Sequence, residues 1–558
     1  MKALIRGGYD YTNNATKRRA PLNIHSQRDW GSTDKGYYSE KSEDIFTTNN
    51  DFILTGNGNV GKFSIEGLVG ASLYYYRDKY LSASTKNGIS VPGFYSLKAS
   101  VASPTVDSYV ANKQVNSLFG KATIGYNSTF YLDVTGRNDW SSTLPEGDNS
   151  YFYPSIGLSA IMSQVIKLPD WFTFWKLRGS WTLSKNDLSI YATNLAYSIS
   201  NSVWDGLNTA AYPTTMRGHV KPITNRTYEI GTSMYFLKNN RIKADLTYYN
   251  KLTYNNTVQT TISSMSGFKN VLINNEEEYV RRGFELVLEA TPIITKDFRW
   301  TAVTNWSTSR RYFAKIDPTY SADKLWVYKG ARVDYCEDND FQYDPNGNII
   351  MTNGYPKLFD YTSKIGYYDP NWVWGLTNTF KYKRFSFSVS VDGRIGGLSY
   401  ASTNANLWKT GAHPDTDNQW RYDEVVNGKK NYVADGVYVV SGSATYDSYG
   451  RITADNRAFA KNETPVSYET YIKSYYRKGA DVNYLDETFI KLRELSLTYD
   501  IPSALSKKIG ISNSSVALVG QNLLLWTKEY RFADPDKASD DLASPSVRYI
   551  GVNFKLEF

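Results

Sequence analysis

The sequence predicts an all-β fold: an antiparallel transmembrane β-barrel, with about sixteen strands in this chain and long extracellular loops. Three observations predict it. Apolar and polar residues alternate with period two in segment after segment. The connectors between those segments alternate between short and long. The last ten residues form a strand with one apolar face, and that strand ends on an aromatic.

The alternation places successive side chains on opposite faces of a strand. In the first segment Ala3, Ile5, Tyr9 and Tyr11 oppose Lys2, Arg6 and Asp10. Phe130, Leu132 and Val134 oppose Tyr131, Asp133, Thr135 and Arg137. Ala244, Leu246 and Tyr248 oppose Asp245, Thr247 and Tyr249. Phe284, Leu286, Leu288 and Ala290 oppose Glu285, Val287 and Glu289. Phe385, Phe387, Val389 and Val391 oppose Ser386, Ser388, Ser390, Asp392 and Arg394. Charges on the minority face suit a wet lumen; a sandwich core would have to desolvate them. A tilted strand needs roughly ten residues to cross a bilayer. The predicted strands lie near residues 2–12, 50–57, 60–76, 115–126, 129–138, 151–162, 173–183, 226–237, 241–252, 278–291, 298–309, 372–382, 384–396, 488–501, 514–526 and 546–558.

Between them, long loops are expected near 13–49, 77–114, 184–225, 253–277, 310–371, 397–487 and 527–545. Short turns are expected at Gly58-Asn59, Asn127-Ser128, Lys238-Asn239-Asn240, Pro292–Phe298 and Lys383. In an up-and-down barrel every second connection lies on one side, and outer-membrane barrels have short periplasmic turns and long external loops. The rhythm therefore puts the C-terminus on the periplasmic side. In the last strand Val552, Phe554, Leu556 and Phe558 oppose Gly551, Asn553, Lys555 and Glu557.

Composition narrows the class. The chain has 558 residues, 41% of them hydrophobic, and a mean hydropathy of −0.48. No apolar run is long enough for a transmembrane helix, which leaves strands as the way to cross a membrane. Tyr 47, Phe 24 and Trp 14 form an aromatic excess, of the kind favoured where rings sit between lipid and water. The net charge of +8 is scattered and forms no basic stripe, so nucleic acid is not an expected partner. The single cysteine, Cys336, forbids an intrachain disulfide, and His25, His219 and His413 lack ligand spacing. The N-terminal residues lack the apolar stretch of a signal peptide. The chain is expected to begin inside a sheet, as part of a larger protein.

Few motifs carry chemistry. Gly56-Asn57-Gly58-Asn59-Val60-Gly61 has the dinucleotide-fingerprint spacing, but a strand follows where a helix would be needed, so it reads as a hairpin turn. Asp338, Asp340 and Asp344 precede Pro345-Asn346-Gly347; they are weak calcium candidates, because the EF-hand spacing fails, and a solvated turn is the preferred reading. No metal, cofactor or catalytic residue is assigned. Trp204, Trp326, Trp408 and Trp420 lie in the long loops and are candidates for contacts with ligand or lid; packing against other loops is the alternative.

Several segments resemble the SusC/RagA-like TonB-dependent transporters of Bacteroidetes outer membranes. They are Tyr131-Leu132-Asp133-Val134-Thr135-Gly136-Arg137-Asn138-Asp139-Trp140-Ser141-Ser142-Thr143-Leu144-Pro145 and Ser150-Tyr151-Phe152-Tyr153-Pro154-Ser155. Trp175-Lys176-Leu177-Arg178-Gly179-Ser180-Trp181 and Arg281-Arg282-Gly283-Phe284-Glu285-Leu286 follow, with Asn371-Trp372 and Gly375-Leu376-Thr377-Asn378-Thr379-Phe380. Phe489-Ile490-Lys491-Leu492-Arg493-Glu494-Leu495-Ser496-Leu497-Thr498-Tyr499 and Gly520-Gln521-Asn522-Leu523 complete the set. The resemblance implies a barrel of about 22 strands around an N-terminal plug. It also implies a SusD-like surface lipoprotein as external lid, and energy from the TonB complex. This chain is expected to be the C-terminal barrel portion, residues 1–558, with the plug and the remaining strands absent from it: either the gene is split or truncated, or the remainder is a separate chain. Tyr549, Gly551, Phe554, Leu556 and Phe558 resemble a C-terminal barrel-assembly signal.

The function expected is import of oligomeric nutrients, glycan or peptide, across the outer membrane, without catalysis. A complete sixteen-stranded passive porin and a secreted carbohydrate-binding β protein are the alternatives.

Overall fold

In hydrocarbon a backbone N–H or C=O finds no water, so a spanning strand must pair all of them within its sheet. This chain builds one sixteen-stranded sheet whose strands follow one another in sequence order. The strands are β1 (Lys2–Ala20), β2 (Tyr37–Val60), β3 (Phe63–Ile89), β4 (Ser100–Tyr126), β5 (Phe130–Ser141), β6 (Ser150–Ile161), β7 (Phe172–Asn186) and β8 (Ile223–Phe236). They continue as β9 (Ile242–Tyr254), β10 (Glu278–Ile294), β11 (Phe298–Lys315), β12 (Trp372–Tyr382), β13 (Phe385–Ile395), β14 (Phe489–Ile501), β15 (Asn513–Thr527) and β16 (Tyr549–Glu557). The structure, a computed structural model, describes all residues except 23–34, 205–206, 478–480, 507–509, 538–539, 541–545 and 558. The expected strand Tyr549–Phe558 is thus seen to Glu557, and His25 and Phe558 lie outside the described residues.

The chain divides into two units. The first comprises Met1–Ala160, Arg178–Tyr228 and Leu252–Glu278. Its register puts Ile65, Ile124, Leu132 and Leu158 side by side on one face of β3 to β6. Ile65 and Leu158 are 46% and 60% exposed. Such a rank of open aliphatic side chains would be a liability in water and suits lipid. The Gly-rich stretch is a hairpin, as expected, but its turn falls at Gly61-Lys62 and not at Gly58-Asn59: Val60 pairs with Phe63, and Gly61 takes φ 59°.

Strands β1 to β4 run much further than the sequence suggested. Residues 13–49 and 77–114 were expected as loops; most of them are ladder. Thr12–Ala20 pairs with Tyr37–Ile45, and Tyr76–Ser84 pairs with Thr105–Lys113. The reason is that pairing outlasts the alternation. Beyond the apolar band the ladder stands in water and needs no apolar face. Polar cross-strand contacts line it, such as Lys17 with Glu40 at 3.4 Å and Asn14 with Glu43 at 3.2 Å.

The second unit comprises Ile161–Leu177, Glu229–Lys251 and Tyr279–Phe558. Phe380, Phe387, Leu497, Leu518 and Val552 form one rank across β12 to β16. On the other face Thr377, Ser390, Glu494 and Gln521 form another. The hydroxyls of Thr377 and Ser390 are 2.7 Å apart. Each strand therefore separates an apolar from a polar surface, residue by residue.

The segment between β13 and β14 carries three helices that the sequence reading missed: α1 (Ser402–Thr410), α2 (Gln419–Val425) and α3 (Tyr468–Tyr475). Asn418 caps α2 by accepting the Arg421 N–H at 3.1 Å, and Ser467 caps α3 by accepting the Thr470 N–H at 3.1 Å. Tyr468, Tyr471 and Ile472 make the buried stripe of α3, spaced as a helix face requires. They pack with Met351, Ala434 and Val466, and Trp408, Tyr432, Tyr475 and Tyr476 surround them.

A carboxyl pair sits beside this cluster. Asp340 lies in the short strand Tyr335–Phe341, and Asp481 follows α3. Burial, and then the neighbouring Asp340, push the Asp481 carboxyl up. The sign follows from linkage: a raised acid favours the fold while protonated, and that contribution is lost as pH rises through its folded-state value. We expect amide exchange at Asp340–Phe341 and Asp481–Asn483, corrected for intrinsic rate, to quicken as pH rises from about pH 4 to about pH 7 and to level off above that. Asp481→Asn should flatten this pH dependence; an unchanged profile in wild type would contradict the pairing.

Candidate transport site

A barrel lumen is built by every second residue of each strand, so its chemistry comes from polar ranks. In the first unit the register brings Arg6, Asp51, Ser72, Ser117 and Asp139 side by side across β1 to β5. Asp51, Ser72, Ser117 and Asp139 are all buried. Buried charges need partners, and these have them. The Arg6 guanidinium donates to Asp51 at 2.5 Å. Arg137 donates to Asp139 at 2.7 Å and to the Ser117 hydroxyl at 2.8 Å. The Tyr153 hydroxyl donates to Asp139 at 2.7 Å. This explains the Arg137-Asn138-Asp139-Trp140 run: Arg137 and Asp139 share the polar face, while Trp140 on the other face is exposed.

In the second unit the polar faces of β10 to β14 enclose a cavity of about 970 Å³. Glu285, Asn305, Asp392, Arg394, Arg493 and Asp536 are among its lining residues. A bulge lets Arg493 and Glu494 share the polar face: the register of β14 skips Arg493 against both β13 and β15. Its guanidinium donates to Asp392 at 2.7 Å and to Asp536 at 2.5 Å. Lys491, two residues earlier, is 3% exposed and donates to Asp534, also 3% exposed, at 2.6 Å. Burial works against the Asp534 carboxylate, but the hydrogen bonds from Lys491 and Ser546 outweigh it and hold it below the usual carboxylate range. Arg394 pairs with Glu487. Breaking a buried pair of this kind costs about 3–5 kcal/mol, because the survivor is left uncompensated. The wall thus offers fixed hydrogen-bond and charge partners to a polar solute, with the cations held by the chain's own carboxylates.

The four loop tryptophans are placed differently. Trp408 is sandwiched between His413, at 4.1 Å, and Tyr476, at 4.6 Å, so both ring faces are covered. Burial lowers the His413 pKa. Trp326 donates to Glu337 at 3.1 Å and lines a second cavity, about 330 Å³, with Tyr328, Arg332, Tyr335 and Tyr367. Trp420 meets Tyr432 edge-on and remains 41% exposed. The Trp204 backbone ends a short hairpin strand, and its side chain lies outside the described residues.

The three aspartates considered for calcium serve separate local contacts. Asp338 accepts from Asn339 N–H and the Tyr484 hydroxyl. Asp340 accepts from Phe341 N–H. Asp344 accepts from the backbone of Asn346 and Asn348. Among the described residues no group of three or more acidic, histidine or cysteine side chains could hold a metal ion. Tyr549, Gly551, Phe554 and Leu556 lie on β16, where Phe554 is 71% exposed.

Sequence reasoning missed Lys491, Arg493, Asp534 and Asp536 as a group. One signal was present: Arg493-Glu494 puts two charges in succession within an alternating strand, and that break in period is the mark of the bulge.

Comparison with known proteins places the whole. A family model described as TonB dependent receptor-like, beta-barrel, matches residues 3–355. TonB-dependent receptor P3 of Formosa agariphila is 22% identical over 87% of this chain and 48% of its own length. TonB-dependent receptor SusC of Bacteroides thetaiotaomicron is 23% identical over 54% of this chain and 34% of its own. The chain spans about half the length of curated relatives such as the first of these. Among solved structures, the RagAB peptide transporter superposes with a TM-score of 0.75 at 17% identity, over 100% of this chain and 60% of that one. It shares the fold. The family match over more than half the residues agrees with the sixteen-stranded sheet and its two-faced strands: the chain belongs to the TonB-dependent receptor-like β-barrel family of outer-membrane transporters.

Proposed function

We propose that the chain is the barrel part of an importer of oligomeric nutrients, glycan or peptide, and that the polar cavity between β10 and β14 is on the solute's path. The observation that carries this is the cavity itself. It is large enough for several residues of an oligomer, and it is walled by paired charges and hydroxyls on the face opposite the lipid-facing ranks. The family relation supports transport, and the RagAB peptide transporter, which shares the fold, supports the peptide form of the solute. On this reading a SusD-like lipoprotein closes the outer side, and a plug coupled to the TonB complex gates the lumen. Of the loop tryptophans whose side chains are described, Trp420 offers an open ring for lid or ligand, and Trp326 presents its cavity of aromatic rings and cations. The long connections face outward, and the C-terminus faces the periplasm.

A passive porin of sixteen strands is the other reading. Uptake separates the readings. Deleting the gene should abolish energy-dependent uptake of one class of labelled oligomer, glycan or peptide, and dissipating the proton-motive force should do the same in wild type. Uptake that persists after deletion, or that ignores the energy supply, would contradict the importer reading.

The terminal pattern Tyr549, Gly551, Phe554, Leu556 and Phe558 is read here as the assembly signal. Phe558→Ala should lower the amount of folded chain in the outer membrane several-fold, measured by heat-modifiable migration; equal amounts would remove the terminal aromatic from that role.

A further inference from the structure

The connection from β15 to β16 touches two regions of the second unit at once. At its start, the Tyr530 hydroxyl donates to the Ser399 carbonyl at 3.0 Å, and Tyr530 is 4% exposed. Arg531 lies 3.9 Å from Asp415. Phe532 meets the edge of His413 at 5.0 Å, and His413 in turn stacks on Trp408 of α1. These contacts tie the segment to the helical cluster. A few residues on, Asp534 and Asp536 grip Lys491 and Arg493 on the lumenal face of β14. Pro535, Asp536 and Lys537 form part of the cavity wall. The lower end is also internally fixed. Asp534 accepts the Asp536 N–H at 3.0 Å through its side chain and the Lys537 N–H at 3.1 Å through its carbonyl.

We propose that Tyr530–Lys537 is a strap that couples the helical cluster α1–α3 to the wall of the lumenal cavity, so that displacement of the cluster opens that wall. This rests on the importer reading and adds a regulation to it. The physical basis is the distribution of contacts. The upper end holds by ring packing and one buried hydroxyl. The lower end holds by one buried ion pair, Lys491 with Asp534, and a more open one, Arg493 with Asp536, joined within three residues of chain. A pull on Phe532 or Tyr530 therefore acts on Asp534 and Asp536 through a short tight turn. Release of Asp536 frees Arg493 to meet solute while Asp392 keeps it in place.

The test reads the wall without relying on uptake. In the full chain in intact cells, Cys336→Ser removes the one native thiol, and Lys537→Cys reports on the wall through its rate of labelling by a membrane-impermeant maleimide. Phe532→Ala, a cut at the upper end, should raise that rate about tenfold. Lys491→Asp should raise it as much, and adding Asp534→Lys should bring it back. If Lys491→Asp reduces insertion, Asp536→Asn at an exposed position gives the same readout with a smaller rise. An unchanged rate in Phe532→Ala, or a charge swap that labels as fast as the single reversal, would overturn the strap. Failure of the importer reading would show instead as oligomer uptake that survives deletion of the gene.

Discussion

The structure depends on one constraint: a strand crossing lipid must satisfy every backbone polar group inside its sheet, which leaves side chains as the only means of facing two solvents. The consequences run through the whole chain. Neighbouring strands pair in sequence order, joined by short hairpins at some connections and by long segments at others. Register then decides everything, since a slip of one residue would turn each apolar rank to the lumen and each charge to the lipid. The ranks Phe380–Phe387–Leu497–Leu518–Val552 and Thr377–Ser390–Glu494–Gln521 show that register holding across five and four strands of one unit.

The lumenal chemistry is a product of the same constraint. Charges on the inner face lie in crowded, partly desolvated surroundings, and so they pair. Asp51 with Arg6, Asp139 with Arg137, and Asp534 with Lys491 are local solutions of that kind. Where the strand rhythm itself is broken, at the Arg493 bulge, two successive charges, Arg493 and Glu494, share the polar face. The polar connection after β15 is anchored there, through Asp536.

Most of the architecture was legible in the sequence. Sixteen segments were expected and sixteen strands form the sheet, because period-two alternation is imposed directly by the two solvents. The lengths of β1 to β4 were not legible: outside the apolar band a ladder such as Thr12–Ala20 with Tyr37–Ile45 needs only polar partners, and polar pairing leaves no periodic trace. The helical cluster was missed for a different reason. Its helices have seven to nine residues, and α3 is held by Tyr468, Tyr471 and Ile472 meeting Met351 and Ala434 from elsewhere in the chain. The site was legible only in part. Charges such as Asp392 and Arg394 announced a wet face, but which of them converge was settled by loop residues Asp534 and Asp536, more than forty positions beyond Lys491.

The central claim is that alternate residues face lipid and water, and spin labels test it directly. In a Cys336→Ser background, single nitroxides would be placed at Phe387, Leu497, Leu518 and Val552, and at Thr377, Ser390, Glu494 and Gln521. The first four should be relaxed strongly by dissolved oxygen and weakly by a water-soluble nickel chelate, and the second four should show the reverse. Equal accessibility of both sets to the chelate would contradict the account.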